Sequence, residues 1–202
     1  KFKKKIKMEI IIHKINSIKM LKKIPNKFGT EIDIRAYKSN LILSHDPKKK
    51  GDKLSSYLKE YNHGTLIMNI KEAGIEKEAI NLAKRFKIKS FFLLDVEQPF
   101  VFNSKSYLKK YLSVRFSEFE TIETVIKFKK FTKRIWIDTV NILPVNNKNL
   151  KTIKKFNSCL VSPERWNRKN DIKKYITYFK KINFKPSAIM TDMKCASLWE
   201  LW

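Results

Sequence analysis

The sequence predicts an α/β fold, a small, single-domain (β/α)8 TIM barrel. Eight short apolar runs, rich in β-branched and aromatic residues, are each followed by a lysine-rich segment with helical spacing. The runs are nearly continuous in apolar residues, which is typical of parallel strands buried on both faces. The competing arrangement, an open doubly wound sheet, normally carries a glycine-rich turn after its first strand. The four glycines of the chain form no such turn.

The boundaries follow from the change between these two patterns along the chain. MEIIIH is the first strand and GTEIDIRA the second, while NLILSH is an antiparallel partner or an extension of the second. The predicted strand segments are 8–13, 29–36, 40–45, 65–71, 90–95, 112–118, 134–140, 158–164 and 188–192. The predicted helices are 15–24, 53–61, 75–87, near 103–110, 121–131, 147–155 and 169–182, with a shortened last helix at SLWELW.

Length and composition predict one folded domain over residues 1–202, with a basic tail at 1–7. Hydrophobic residues make up 43% of the chain, enough for a sizeable core. Cys159 and Cys195 are too few for a disulfide framework and indicate reduced thiols in a cytoplasmic protein. No apolar run approaches the length of a transmembrane segment, so none is expected.

The formal net charge is +26 and the pI about 10.0. One interpretation is attraction to anions, namely phosphate esters, nucleic acid or an acidic membrane face. The other interpretation is that the charge reflects an AT-rich genome, because Lys, Ile and Asn are abundant together. The lysines are spread along the chain, whereas a nucleic-acid interface needs clustering, so no specific nucleic-acid partner is predicted.

Polar residues cluster at the carboxyl ends of the predicted strands, where barrels of this kind place their active sites. Glu31 and Asp33 face the same way because side chains alternate along a strand. Two converging carboxylates predict a site for a hard divalent cation, Mg²⁺ or Ca²⁺. Polar residues at other strand ends are His13, His45, Asp46, Asn69, Lys71, Asp95, Arg115, Glu118, Asp138, Ser162, Glu164 and Asp192.

Several of these residues also have structural interpretations. A lone histidine at a strand end is more often structural, but His13 and His45 both flank the carboxylate pair, which favours function. His63 precedes the third main strand, at the opposite end of the barrel, and is predicted to be structural. Helix N-caps remain an equal alternative for three strand-end residues, Asp138, Ser162 and Asp192.

The strand-end motifs over roughly residues 9–71 resemble those of the glycerophosphodiester phosphodiesterases, barrel enzymes similar to phosphatidylinositol phospholipase C. The motifs are His13, the EIDIR and LSHDP segments, and an acid-or-amide-x-Lys pattern on the third main strand. The resemblance implies His13 and His45 as the acid/base pair and Lys71 as a catalytic cation on the phosphate. It implies Glu31, Asp33 and Asn69 as metal ligands. Basic residues predicted to bind the substrate phosphate are Lys14, Arg35 and Arg115.

The chain departs from the family pattern in two places. Lys14-Ile15 stands where the family usually has Arg-Gly, which keeps the charge but loses the two-pronged guanidinium. Asn69 stands where an acid is usual, so the metal site has one negative charge fewer, and Asp95 is a candidate to compensate.

The leading hypothesis is a metal-dependent phosphodiesterase acting on a small glycerophosphodiester-like substrate, connected with lipid or surface-polymer metabolism. A hydroxyl next to the ester would attack first and give a cyclic phosphate. The alternative is a catalytically weakened phosphate-ester-binding or regulatory protein, which Asn69 favours. Nucleic-acid binding through bulk charge is a third, weaker interpretation, and the sequence leaves the oligomeric state open.

Overall fold

The computed structural model describes residues 8–104 and 106–202, so the basic tail predicted at 1–7 lies outside the described residues. The described chain contains nine strands, close to the predicted positions. They are β1 (Glu9–Ile12), β2 (Gly29–Tyr37), β3 (Asn40–Leu43), β4 (Leu66–Ile70), β5 (Phe91–Leu94), β6 (Ser113–Phe116), β7 (Arg134–Ile137), β8 (Asn157–Val161) and β9 (Ala188–Thr191).

Eight parallel strands form a nearly closed barrel in the order β5-β4-β2-β1-β9-β8-β7-β6. A parallel bridge between Leu93 and Leu112 brings β5 against the start of β6 and completes the ring. The predicted (β/α)8 barrel is therefore confirmed, and the open doubly wound sheet is excluded.

Helices connect the strands, but several are shorter than predicted. They are α1 (Ile18–Leu21), α2 (Leu54–Glu60), α3 (Glu76–Arg85), α4 (Gln98–Asn103), α5 (Ile122–Phe128), α6 (Leu150–Ile153), α7 (Asp171–Lys181) and α8 (Ala196–Glu200), with 3₁₀ turns at Ser106–Tyr111, Pro163–Trp166 and Met193–Cys195. The described residues include no helix of the length and apolarity needed to span a bilayer.

Two of these differences have a local cause. The predicted helix 15–24 shrinks to α1 because the backbone N–H of Ile15 is bound to the Glu31 carbonyl at 2.8 Å and Ser17 caps the helix. The helix predicted near 103–110 is replaced by α4, which has Pro99 in its first turn, and by the 3₁₀ turn that follows. Proline is favoured in the first turn because its missing N–H has no partner there anyway.

Alternation along β2 separates the core from the site. Ile32 and Ile34 pack outward against the helices, in the large core between the strands and the helical layer. Glu31 and Asp33 occupy the opposite face and point into the barrel, next to a buried cluster of apolar side chains. Each large apolar side chain buried in this way stabilises the fold by about 1.5–3 kcal/mol.

The β2–β3 hairpin extends one side of the barrel beyond the mouth. β4 pairs with one edge of β2 as far as Ile34, so β3 must follow the other edge, above the end of β1. Ser44 continues along that edge and donates its backbone N–H to the Asp33 carbonyl at 3.0 Å. The hairpin thus returns His45 to the same rim that carries His13.

Candidate active site

A cavity of about 220 Å³ opens at the carboxyl ends of the strands. Its floor is apolar, formed by Leu94, Trp136, Val161 and Met190, and polar residues surround this floor. The structure brings five of the predicted site residues to the cavity wall, namely His13, Glu31, Asn69, Lys71 and Arg115. The other four, Lys14, Asp33, Arg35 and His45, do not line the cavity. Lys14, Asp33 and Arg35 each contact a lining residue, whereas the described contacts join His45 to the site through Arg35.

Glu31, the third residue of β2, is almost completely buried. Its Oε2 atom accepts a hydrogen bond of 2.8 Å from the backbone N–H of Lys14 and lies 3.8 Å from His13 Nε2. Burial, followed by the charge of Asp33, raises the pKa of Glu31 to about 7. Lys14 has a left-handed backbone (φ 56°) and an exposed side chain, so its contact with the site is through the main chain.

Asp33 is held by nitrogen donors on both carboxylate oxygens. Asn16 Nδ2 donates to Oδ2 at 2.7 Å, and Asn16 Oδ1 accepts the backbone N–H of Asp33 at 2.8 Å. On the other oxygen, Asn69 Nδ2 donates to Oδ1 at 3.2 Å and Lys71 Nζ lies 3.3 Å away. The charge of Asp33 is therefore balanced within the protein.

Asn69 has the orphaned acceptor of the site, because its Oδ1 atom is buried and has no hydrogen-bond partner in the described chain. A hard cation prefers oxygen ligands. The unpaired Oδ1 of Asn69 and the carboxylate of Glu31, which is repelled by the charge of Asp33, are ligands of this kind. The described residues hold no cluster of three or more His, Cys, Asp or Glu arranged for a metal. The residues fit a cation at Glu31 and Asn69, with Asp33 as the adjacent carboxylate.

His13 lies between two carboxylates at the end of β1. Its Nε2 faces Glu31, and its Nδ1 lies 3.7 Å from Asp192 Oδ1. Burial lowers the pKa of His13 to about 4, and the positive charge of Arg165 acts in the same direction. Arg165 in turn pairs with Asp192 at 3.2 Å. His13 is therefore a neutral imidazole at physiological pH.

His45 is half-exposed and hydrogen-bonded to its neighbour, with Nδ1 2.8 Å from Asp46 Oδ1. Arg35 binds the backbone around it, donating Nε to the His45 carbonyl at 3.0 Å and NH1 to the Lys71 carbonyl at 2.9 Å. The guanidinium of Arg35 therefore fastens the histidine loop to the end of β4, and Glu72 lies 3.7 Å from it.

Arg115 reaches the cavity from β6 and is paired with two acids. Its Nε and NH2 both donate to Asp95 Oδ1, at 2.9 and 2.7 Å, and its NH1 pairs with Asp138. Trp166 Nε1 also donates to Asp138, at 3.1 Å. Asp95 is thus bound to Arg115, on the side of the cavity away from β2, and the guanidinium charge is balanced.

Among solved structures, the chain resembles the crystal structure of a glycerophosphodiester phosphodiesterase from Agrobacterium tumefaciens, with a TM-score of 0.64. The two proteins share the barrel fold. The match covers 91% of this chain and 96% of that one, at 10% sequence identity. No family model and no curated protein matches the sequence. At this identity the likeness establishes the fold, while the role of each residue must be argued from geometry.

Three other strand-end residues, Ser162, Glu164 and Asp192, connect the ends of β8 and β9 by hydrogen bonds. Ser162 donates to Glu164 and accepts the indole N–H of Trp199 at 2.7 Å. Glu164 also accepts the backbone N–H of Asp192 at 3.0 Å. Ser162 and Asp192 stand at the N-cap positions of 3₁₀ turns but make no side-chain cap bond there. No helix follows Asp138 directly, so the N-cap alternative is wrong for Asp138.

His63 lies before β4, away from the mouth, and its Nε2 atom is 2.9 Å from the Ile24 carbonyl. That position agrees with a structural role. Asn16 and Trp166 were not among the predicted site residues. Asn16 fell within the helix predicted at 15–24, and Trp166 lies in the 3₁₀ turn after β8, where no motif marks it.

Proposed function

We propose that the chain is a metal-dependent phosphodiesterase that acts on a small glycerophosphodiester-like substrate. The supporting observation is the convergence of His13, Glu31, Asn69 and Lys71 on one cavity at the carboxyl end of the barrel. The shared fold with a glycerophosphodiester phosphodiesterase adds to this geometry.

The histidines would divide the proton transfers between them. Burial lowers the pKa of His13, so its imidazole is unprotonated and has a free nitrogen for the proton of the attacking oxygen. The carboxylate of Asp192 beside Nδ1 would stabilise the imidazolium that this transfer creates. The hydrogen bond between His45 Nδ1 and Asp46 orients the second imidazole and leaves Nε2 to deliver a proton to the leaving oxygen.

Charge on the phosphoryl oxygens needs a positive counterpart. The ammonium group of Lys71, next to the cavity, would supply one. A cation held by Glu31 and Asn69 would act as a Lewis acid on the same oxygens.

The size of the cavity limits the substrate. A volume of about 220 Å³ is below the roughly 300–1,000 Å³ typical of pockets for drug-sized ligands. It suits a phosphodiester with one small alcohol. Where that alcohol carries a hydroxyl next to the ester, the hydroxyl would attack first and release a cyclic phosphate. The free, buried Cys159 and Cys195 support our expectation of a cytoplasmic enzyme.

The test is turnover of glycerophosphodiesters that differ in their alcohol, with Mg²⁺ or Ca²⁺ and with a chelator. We expect chelation to stop release of the alcohol and metal to restore it. His13→Asn should abolish turnover, whereas His63→Asn, at the other end of the barrel, should retain it. Turnover that persists in a chelator, or in His13→Asn, would contradict the proposed mechanism.

The second candidate is a catalytically weakened phosphate-ester-binding protein. It is favoured by the pairing of both Asp33 oxygens with Asn16, Asn69 and Lys71, which reduces the need for a cation. Calorimetric binding of glycerophosphocholine without any hydrolysis, in the presence of either metal, would support this candidate over the enzyme.

A further inference from the structure

Four large apolar side chains are exposed in the loops that follow four neighbouring strands. The exposed fractions are 70% for Phe119 after β6, 56% for Ile142 after β7, 41% for Trp166 after β8 and 43% for Met193 after β9. We call these four residues the apolar rim. Exposed apolar residues scattered singly are ordinary, but a group on one functional face marks an interaction surface.

Hydrogen bonds and an ion pair tie the loops of the apolar rim to one another. Glu118 Oε1 accepts the backbone N–H of Asn141 at 2.8 Å, which joins the loops after β6 and β7. The Arg168 guanidinium donates to the Thr139 carbonyl and so joins the loops after β7 and β8. Arg165 and Asp192 join the loops after β8 and β9. The four side chains are therefore presented on adjoining, mutually braced loops.

Exposed lysines lie beside the other half of the mouth. Exposed Lys14 follows β1, and exposed Lys48 and Lys50 follow β3. Within the described chain these three lysines, which we call the basic rim, have no salt bridge, whereas Lys49 between them pairs with Asp46 at 2.6 Å. Their charges remain available to an anionic partner.

We propose that the mouth of the barrel docks on the surface of an anionic phospholipid bilayer. The apolar rim enters the boundary between headgroups and acyl chains, and the basic rim contacts lipid phosphates. Tryptophan suits such a boundary because its ring is apolar and its N–H is polar. A bilayer offers this combination of an apolar interior under a negatively charged surface, and the surface attraction extends over about a Debye length of 8–10 Å.

The docking also specifies the substrate class. The cavity opens between the two rims, and Trp166 belongs both to its wall and to the apolar rim. A headgroup phosphodiester of a docked bilayer would thus face His13 and Lys71, while the acyl chains stay in the membrane because the cavity is too small for them. This assignment of the substrate rests on the proposed function, whereas the docking itself does not.

Vesicle flotation without any turnover tests the docking. We expect the full chain to float with phosphatidylcholine vesicles that contain phosphatidylglycerol, with a blue shift of tryptophan emission that is absent in Trp166→Phe. The double variant Phe119→Ser, Ile142→Ser should bind at least about tenfold more weakly, since it loses two apolar side chains that docking would bury in the bilayer. The matched control is Ile126→Ser, Leu201→Ser, two exposed residues (51% and 85%) outside the rim loops, which should bind normally.

Two charge-reversal variants distinguish docking by the barrel mouth from a general attraction of the basic protein to anionic vesicles. Lys48→Glu, Lys50→Glu should reduce flotation, whereas Lys89→Glu, Lys133→Glu, which precede β5 and β7 at the opposite end of the barrel, should not. Equal loss in both pairs, or normal flotation of the Phe119 and Ile142 variant with an unchanged thermal melt, would overturn the proposal.

Hydrolysis of a water-soluble diester distinguishes this failure from failure of the proposed function. Turnover of the soluble diester without vesicle binding would refute the docking and leave the enzyme standing. Vesicle binding by the apolar rim without hydrolysis of any diester would refute the proposed phosphodiesterase activity and support the docking.

Discussion

The side-chain amide of Asn69 donates to Asp33 Oδ1 over 3.2 Å, while its carbonyl oxygen is buried and unpaired among the described residues. An amide in this position helps Asn16 and Lys71 to hold the Asp33 carboxylate. An acid in its place would face Glu31 and Asp33 as a third negative charge, which is tolerable only with a cation between them. We therefore expect the residue at position 69 to influence how strongly the site binds a cation.

Replacing Asn69 by Asp should tighten divalent-cation binding by about tenfold or more, because affinity for hard cations rises with ligand charge. The same change should lower the melting temperature in a chelator. Isothermal calorimetry with Mg²⁺ and Ca²⁺ measures the affinity. Asn157→Asp, an exposed change at the start of β8, is the matched control. Unchanged affinity would mean that Asn69 does not face the cation.

Cation binding should weaken as the pH falls below about 7, because the pKa of Glu31 is raised to about 7 and the cation must then displace a proton. Above that pH the affinity should level off. Glu31→Gln should bind metal more weakly at every pH and show no such slope between neutral and mildly acidic pH. A slope that survives in Glu31→Gln would assign the titration to another group.

His13 should make the fold sensitive to acid. Its pKa in the folded state is about 4 instead of 6.5, so the folded state resists protonation while the unfolded chain does not. The stability contribution is complete above pH 6.5 and is lost as the pH falls towards 4, by about 3 kcal/mol.

Urea unfolding of the wild type and His13→Asn across this range isolates the contribution of His13. Buried Glu31, whose pKa is raised, acts in the opposite direction. Because Glu31 lies 3.8 Å from His13, the same comparison in a Glu31→Gln background separates the two titrations. Parallel stability curves for the two proteins would contradict the buried, neutral imidazole.

His45→Ala should reduce turnover by about 10²–10⁴-fold, the usual loss for a general acid or base. Its melting temperature should stay near that of the wild type because the side chain is half-exposed. His63→Ala should behave in the reverse way, with a lower melting temperature and retained turnover, since it loses the contact with the Ile24 carbonyl. Full activity of His45→Ala would remove this residue from the mechanism.

Arg115→Lys should lower the free energy of unfolding by about 1–3 kcal/mol, because an ammonium group cannot reproduce the forked contacts to Asp95 and Asp138. If Arg115 also binds the substrate phosphate, KM should rise in the same variant. Urea titration and steady-state kinetics separate the two effects. Arg85→Lys, at the exposed end of α3, should change neither quantity.

The sequence predicted the barrel because its strands are buried on both faces and stand out as apolar runs. It also predicted the inward face of β2 and β4, since a period of two places Glu31 with Asp33 and Asn69 with Lys71. The contacts that irregular segments make could not be predicted. Asn16 reaches Asp33 only because the loop after β1 folds over the mouth.

The strands of the barrel are not equally well paired around the ring. Between β5 and β6 the described residues make a single bridge, Leu93 to Leu112, supported by the Ser113 hydroxyl on the Leu93 carbonyl at 2.8 Å. β2 and β4, in contrast, are paired over five consecutive positions. Opening of the ring should therefore begin at this seam, and amide hydrogens of β6 should exchange with deuterium sooner than those of β2. The half of the molecule with Glu31, Asp33 and Asn69 would then be the last to lose its native arrangement.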